Sequence, residues 1–429
     1  MTLSIRDKKI IWHPFTQEKN AQKIVGIKKA QGSYVYDEND VPYLDLISSW
    51  WVNIHGHGHQ EIAKSIYDQA KTLEHVLFAG FTHEPAVTLC QELQTILPKN
   101  LCRFFFSDNG STSVEVALKM SYQYWLNLRK KEKKFFLSFD GGYHGDTFGA
   151  MSVGAKSGFH NQFKALCFNV LSIPYPYTWN GDEQVELKEE KSIRVLKKYL
   201  HQYANTISAI ILEPLIQGAS GMRICRPQFI KNVVNLVRQY HILVIFDEVM
   251  TGFCRTGTYF ALHQLEIAPD FLCISKGLTG GFLPLALTVT QNRIYEAFLG
   301  DDFKTAFAHG HSYTANPLAC SAAITSLKLL KKPECQEAIK TISKMHQVKI
   351  IEAKSQCPRI EKIRTLGTIA AFDVKDLQRF MSLAKLRFFE QGMVIRPLKN
   401  TIYLMPPYCI LEEEIDSVYK KIVKIINTL

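Results

Sequence analysis

The chain has 429 residues, 46% hydrophobic and 21% charged, which supplies apolar material for a large core and excludes a disordered chain. The formal charge of +11 raises nucleic acid as a partner, but the basic residues are dispersed, and their densest run, RKKEKK at 129–134, reads as a solvated turn. Ten cysteines without a C-x-x-C pair speak against zinc or thioredoxin chemistry and read as small core hydrophobes of a reducing cytosol. No apolar stretch reaches the ~18 residues a membrane span needs, and MTLSIRDKKIIWHPF lacks a secretory apolar region, so the expectation is a soluble cytoplasmic protein.

In chain order, residues 32–48 (GSYVYDENDVPYLDLIS) read as a hairpin turning at DEND. From about 100 to 310, short apolar runs alternate with amphipathic ones, the pattern of a sheet covered by helices. The runs RFFFS (103–107), KFFLSF (134–139), AIILEP (209–214), ILVIFDEV (242–249), FLCISK (271–276) and ALTVT (286–290) are nearly continuous in apolar residues, as buried parallel strands are. Residues 320–355 read as one long helix, and 365–408 as an α+β segment. The two ends are expected to form a smaller domain from 1–58 and 319–429, beside a large domain over 59–318.

Ligands of parallel sheets bind at the carboxyl ends of the strands, so the residues directly after the runs form a set. RFFFS leads into DNGSTSVEVALKM, a helix start where Thr112 and Glu115 suggest a capping pair, and where Gly110 and Ser111 suit an anion cradle, although ordinary helices begin this way too. KFFLSF leads into DGGYHGDT, with Tyr143, His144 and Asp146; the tyrosine either covers a planar ligand or packs on the surface. ILVIF ends on Asp247, a carboxylate in a buried run that calls for a cationic or protonated partner. FLCIS ends on Lys276, either a surface lysine or an amine held for covalent chemistry.

One requirement unites the four: a planar pyridine cofactor with a phosphate needs an anion cradle, a stacking ring, a carboxylate at the ring nitrogen and an amine for a Schiff base. Pyridoxal 5′-phosphate is that cofactor, and partial desolvation would make the lysine a neutral nucleophile.

FDEVMTGFCRTG followed by PDFLCISKGLTGG, with acid and lysine 29 positions apart, resembles the class III aminotransferases of pyridoxal phosphate fold type I across the whole chain. Within that class, IWHPFTQ (11–17), SSWWVNIHGH (48–57), GYHGDTFGAMSV (142–153) and IRPLKNTIYLMPPY (395–408) resemble the adenosylmethionine–8-amino-7-oxononanoate aminotransferases of biotin synthesis. The resemblance implies an α/β fold with a mostly parallel seven-stranded sheet between helices, plus a smaller α+β domain from both chain ends. It implies that Lys276 carries the cofactor and shuttles the proton, that Asp247 pairs with the pyridinium nitrogen, that Gly110 and Ser111 hold the phosphate, and that Tyr143 stacks on the ring. In HGHSYTANP (309–317), Gly310 is expected to approach the substrate, and His311 and Ser312 to complete the phosphate site of the partner subunit in a homodimer with shared active sites. Trp50 is expected to wall the substrate pocket, Arg396 to bind the oxononanoate carboxylate, and Asp146 and Arg255 to shape the site for the amino donor. The implied reaction is a ping-pong transfer from S-adenosyl-L-methionine, or from lysine, to the ketone of 8-amino-7-oxononanoate.

Two positions depart from the family pattern. Phe15 replaces a substrate-binding tyrosine, and HGHSYTANP replaces HGPTFM, as in relatives whose donor is lysine. HGHGH (55–59) is read as carrying no metal, Trp51 mostly as core, and Glu213 as either a support for the site or half of a salt bridge. The alternative function is another class III ω-aminotransferase, acting on ornithine, γ-aminobutyrate or a diamine.

Overall fold

The computed structural model describes residues 2–20, 24–154 and 157–429. Its strands, in chain order, are β1 (Ile27–Gln31), β2 (Tyr34–Asp37), β3 (Pro42–Asp45), β4 (Leu101–Ser107), β5 (Phe135–Phe139), β6 (Val170–Ile173), β7 (Ile207–Leu212), β8 (Ile216–Gln217), β9 (Arg223–Ile224), β10 (Leu243–Asp247), β11 (Phe271–Ile274), β12 (Ala286–Gln291), β13 (Ile360–Leu366), β14 (Ile369–Val374), β15 (Met393–Val394) and β16 (Thr401–Leu404).

Seven strands form the central sheet in the order β4-β12-β11-β10-β7-β5-β6. Alternate residues of its strands serve two cores, because successive side chains point to opposite faces. Ile210, Leu212, Val244, Phe246, Leu272 and Ile274 enter one, whereas Ala209, Ile211, Leu243, Ile245, Phe271 and Cys273 meet the helix Gly110–Asn127 in the other. Burial on both faces explains why the runs lack polar alternation.

All six sequence-read runs are strands, but ALTVT is not parallel: β12 pairs antiparallel with both β11 and β4. The segment 275–285 holds a single short turn and no crossover helix, and a parallel return needs such a crossover. The seventh strand, β6, is short and only half-buried over most of its length, so its pattern is faint.

The chain ends meet in a second layer. β15 adds parallel to β3 in the sheet β1-β2-β3-β15, pairing Met393 with Leu44, and β13-β14-β16 form an antiparallel sheet beside it. The segment 320–355 is two helices, Pro317–Lys331 and Pro333–Gln356, rather than one. Lys332 sits at φ −62°, ψ 137°, the extended conformation that a following proline favours, and Pro333 begins the next helix. RKKEKK is solvated only in part, since Lys133 is buried against the Trp125 ring and donates to the Ile207 carbonyl at 3.0 Å. Nor are all ten cysteines core residues: all are free thiols, with Cys90, Cys102, Cys167 and Cys335 half-buried and Cys409 exposed.

Candidate functional site

The carboxyl ends of β5, β7, β10 and β11 open on one cavity of about 390 Å³. Gly110, Ser111, Tyr143, Asp146, Asp247 and Lys276 all line it, joined by Trp51, His144 and Glu213.

Lys276 lies just beyond β11 and takes a left-handed backbone, φ 48°, a strained conformation for a side chain of this size that turns the chain out of the sheet. Burial pulls its amine down to about 8, against the raising influence of Asp247 and Glu213. Its Nζ lies 4.6 Å from the centre of the Trp51 ring. Trp51 is therefore both core and cavity wall: its Nε1 donates to the Tyr403 hydroxyl at 3.0 Å, and one ring face meets the lysine. The loop carrying it is held by Asp45, which accepts from Ser49 N at 2.6 Å and pairs with His57 at 3.0 Å.

Asp247 ends β10, where its Oδ2 accepts a 2.7 Å hydrogen bond from His144 Nδ1 and its Oδ1 accepts from Val249 N at 3.1 Å. Burial alone would depress the His144 imidazole, but the Asp247 hydrogen bond and charge, with Glu213 beyond, outweigh it and raise its pKa. The pair sets a buried imidazole directly against a buried carboxyl group. The buried carboxylate demanded such a partner, and His144, adjacent to Tyr143 in a strand-end turn, was the signal that sequence reasoning left unused.

Among the described residues Glu213 makes no salt bridge: its carboxylate accepts from Tyr143 N at 3.0 Å and from Gly218 N at 2.9 Å, and burial raises it to about 7. It thereby fixes the backbone beneath Tyr143, whose hydroxyl donates to Asp146 Oδ2 at 2.9 Å. Desolvation, then Asp146, push the phenol well above its usual range, so it stays protonated.

The helix Gly110–Asn127 begins at the cavity. Its cap is Asn109, not Thr112: Asn109 Oδ1 accepts from Thr112 N at 3.1 Å, and Thr112 Oγ1 accepts from Asn109 N at 3.2 Å. Glu115 points elsewhere and accepts from Gly149 N. The amides of Gly110 and Ser111 have no acceptor within the helix. A β-carbon at Gly110 would stand 2.5 Å from Val249 Cγ1, so only glycine lets the helix start come this close to β10. Ser111 Oγ and Thr147 Oγ1 lie 2.8 Å apart at the same place.

Phe15, Trp50 and Arg396 form a second group. The Arg396 guanidinium lies 4.3 Å from the centre of the Trp50 ring and 6.0 Å from that of Phe15, and Phe15 meets Trp50 edge-on at 5.7 Å. Phe159 links this group to the first, touching Phe15 at 6.2 Å and Tyr143 at 5.6 Å. Phe15 and Arg396 border a cavity of about 910 Å³ that Lys385 also lines.

Four expected residues stand apart. Gly310, His311 and Ser312 line no part of the Lys276 cavity within this chain; the Ser312 carbonyl meets His75 Nε2 instead. Arg255 also misses the cavity. It is 1% exposed and donates to the carbonyls of Pro406 at 2.9 Å and Asn53 at 3.1 Å, tying the Trp51 loop to the C-terminal segment. HGHGH sends His57 to Asp45 and His55 to the Ser326 carbonyl, and among the described residues no group of three or more His, Cys, Asp or Glu side chains is arranged to hold a metal ion. Among these residues, too, no helix is long and apolar enough to cross a membrane.

The site as built suits pyridoxal phosphate: helix-start amides and hydroxyls for a phosphate, a buried carboxyl group hydrogen-bonded to His144 for a ring nitrogen, and a desolvated amine. Residues 15–426 match the family model described as Aminotransferase class-III. The adenosylmethionine-8-amino-7-oxononanoate aminotransferase of Synechococcus elongatus is 47% identical, over 98% of this chain and 99% of that protein. Its namesake from Helicobacter pylori is 41% identical, over 100% and 98%. Among solved structures, the adenosylmethionine-8-amino-7-oxononanoate aminotransferase of Methanocaldococcus jannaschii superposes with a TM-score of 0.91 at 35% identity, covering 99% of this chain and 98% of that one. The chain belongs to the class III aminotransferases.

Proposed function

We propose that this protein moves an amino group from S-adenosyl-L-methionine, or from lysine, to the ketone of 8-amino-7-oxononanoate, forming 7,8-diaminononanoate. The observation that carries this reading is one cavity holding a depressed lysine amine, a His144-paired Asp247 and the first amides of the helix Gly110–Asn127, in a chain whose full-length relatives bear that name. When bound, pyridoxal 5′-phosphate supplies the electron sink that makes the substrate C–H acidic.

The chain's own residues do the rest. Lys276 Nζ, neutral in a large fraction of molecules near pH 8, holds the cofactor between turnovers and carries the proton once released. Asp247, held in place by its hydrogen bond to His144, would hold the cofactor's ring nitrogen. The amides of Gly110 and Ser111 would receive the phosphate and Tyr143 would hold the ring, while Trp51 lies against the lysine amine. Arg396, stacked on Trp50, presents its fork to the oxononanoate carboxylate, and Phe15 packs along the carbon chain. Asp146 faces the donor, with Arg255 supporting the Trp51 loop. In a cytosolic homodimer, Gly310, His311 and Ser312 reach the site of the partner subunit.

The test is a colour change. Protein reconstituted with pyridoxal phosphate is mixed with each donor separately, and the yellow absorbance is followed. Bleaching by S-adenosylmethionine or lysine, reversed by the oxononanoate, is expected; bleaching only by ornithine, γ-aminobutyrate or a diamine would replace this reading with the ω-aminotransferase one.

A further inference from the structure

One buried histidine beside the cavity takes no part in that chemistry. His160 lies beyond the helix Phe148–Val153 in the chain and is 3% exposed. Its Nε2 stands 2.8 Å from Asp146 Oδ1, while Asp146 Oδ2 accepts from the Tyr143 hydroxyl at 2.9 Å. The imidazole also lies nearly parallel to the Tyr143 ring, with centroids 5.7 Å apart and planes at 22°. One side chain thus touches both residues that border this end of the cavity, and the Asp146 side chain remains 51% exposed toward whatever enters.

The second ring nitrogen decides the charge. His160 Nδ1 is buried and, among the described residues, has no hydrogen-bond partner. A protonated ring would bury an N–H without an acceptor, whereas a neutral ring with its proton on Nε2 leaves only a lone pair unmatched. The ring therefore donates to Asp146 Oδ1 without setting a positive charge beside it.

We propose that His160 is a positioning residue: as the neutral Nε2–H tautomer it donates to Asp146 and holds that carboxylate turned toward Tyr143, so that it faces the amino donor. This rests on the proposed aminotransferase function and deepens it. Both candidate donors carry a second positive charge besides the reacting amine, a sulfonium in one and an ammonium in the other. A carboxylate held in place at the cavity rim selects that class.

Two measurements test it. The first needs no substrate: in protein labelled with ¹⁵N-histidine, the His160 signals, assigned by their loss in His160→Gln, are expected to show a protonated Nε2 and a bare Nδ1 at neutral pH, with that preference lost in Asp146→Asn. The second tracks donor bleaching. His160→Phe keeps the stacking on Tyr143 but removes the donated proton, and is expected to weaken the apparent donor affinity on the order of tenfold with little change in the saturated rate. His160→Gln, which retains an N–H, is expected to recover most of that loss. A His160 signal that is doubly protonated or carries its proton on Nδ1, a Phe variant that binds donor like the parent, or a Gln variant no better than Phe would each overturn the proposal. Parent protein that neither donor bleaches would count against the function, and the nitrogen spectrum would still decide the role of His160.

Discussion

The Lys276 cavity and the Phe15–Trp50–Arg396 group carry the two halves of the proposed reaction, and they are built in opposite ways. The first is laid out on the ends of hydrogen-bonded strands: β10 and β11 run parallel in register, Asp247 opposite Cys273, so Asp247 and Lys276 hold fixed positions on neighbouring strands. Asp247 and Glu213 are buried, and these two and Lys276 are each either paired or shifted by burial. The second draws on three segments from both chain ends, with Phe15 50% and Trp50 42% exposed, and is joined by ring contacts alone. A site on one sheet has its geometry set by backbone register, whereas a site assembled from distant segments depends on how those segments pack. Substitutions in the first should therefore abolish chemistry, and those in the second should retune recognition.

Lys276→Met should break the first region most completely, with turnover falling on the order of 10⁴-fold as its proton carrier is lost. Single-turnover bleaching measures this. The same variant should gain stability. An amine near 8 in the fold and 10.5 when unfolded binds its proton more weakly in the native state, so it penalises folding below pH 8, and the penalty fades as pH rises toward 10.5. Cofactor-free Lys276→Met is expected to exceed the parent by about 2–3 kcal/mol at pH 7 and to match it near pH 10.5, as read from denaturant melts. Equal stabilities at pH 7 would show that the lysine is not desolvated.

Asp247→Asn keeps the shape and removes the charge. A loss of about 10²- to 10³-fold in the donor half-reaction is expected, because the ring nitrogen loses its counter-charge and His144 loses the partner that raises it. The His144 titration, monitored by ¹⁵N signals, should move downward in the same variant.

The contrast also governs what could be read from the sequence. Strand ends are local: an apolar run ending on Asp247, or on Lys276, announces itself, as does a glycine-hydroxyl helix start. Where a local pattern had two solutions, sequence reasoning chose wrongly. Thr112–Glu115 has the spacing of a cap, but so does Asn109–Thr112, and the chain turns at Asn109. Residues 320–355 have helical periodicity throughout, and only Pro333 marks the break. Long-range contacts left still less trace. Trp51 looks like core until the left-handed loop at Ser48, Ser49 and Trp51 brings its ring against Lys276, and nothing near His160 in the chain announces a hydrogen bond to Asp146. Arg396, Trp50 and Phe15 were identified through family resemblance, because no periodicity joins residues so far apart.

In the second region, Arg396→Lys should preserve charge and lose the fork. The Michaelis constant for the oxononanoate is expected to rise about tenfold, while donor bleaching stays within about twofold. Steady-state kinetics with each substrate varied in turn make the comparison, and an equal effect on both half-reactions would place Arg396 in a shared role instead.

Phe15→Tyr should have the smallest effect and says most about the region's tunability. Phe15 has a left-handed backbone, φ 51°, and its ring meets Trp50 and Phe159 edge-on, so a tyrosine ring can keep both contacts while extending a hydroxyl from its far edge. With half of the residue exposed, the added hydroxyl costs little desolvation. A hydrogen bond gained to a bound substrate is worth about 1 kcal/mol, so the Michaelis constants should fall roughly fivefold. Unaltered constants for both substrates would mean that the Phe15 ring edge faces solvent rather than substrate, and would move the donor contact to Asp146 and its neighbours.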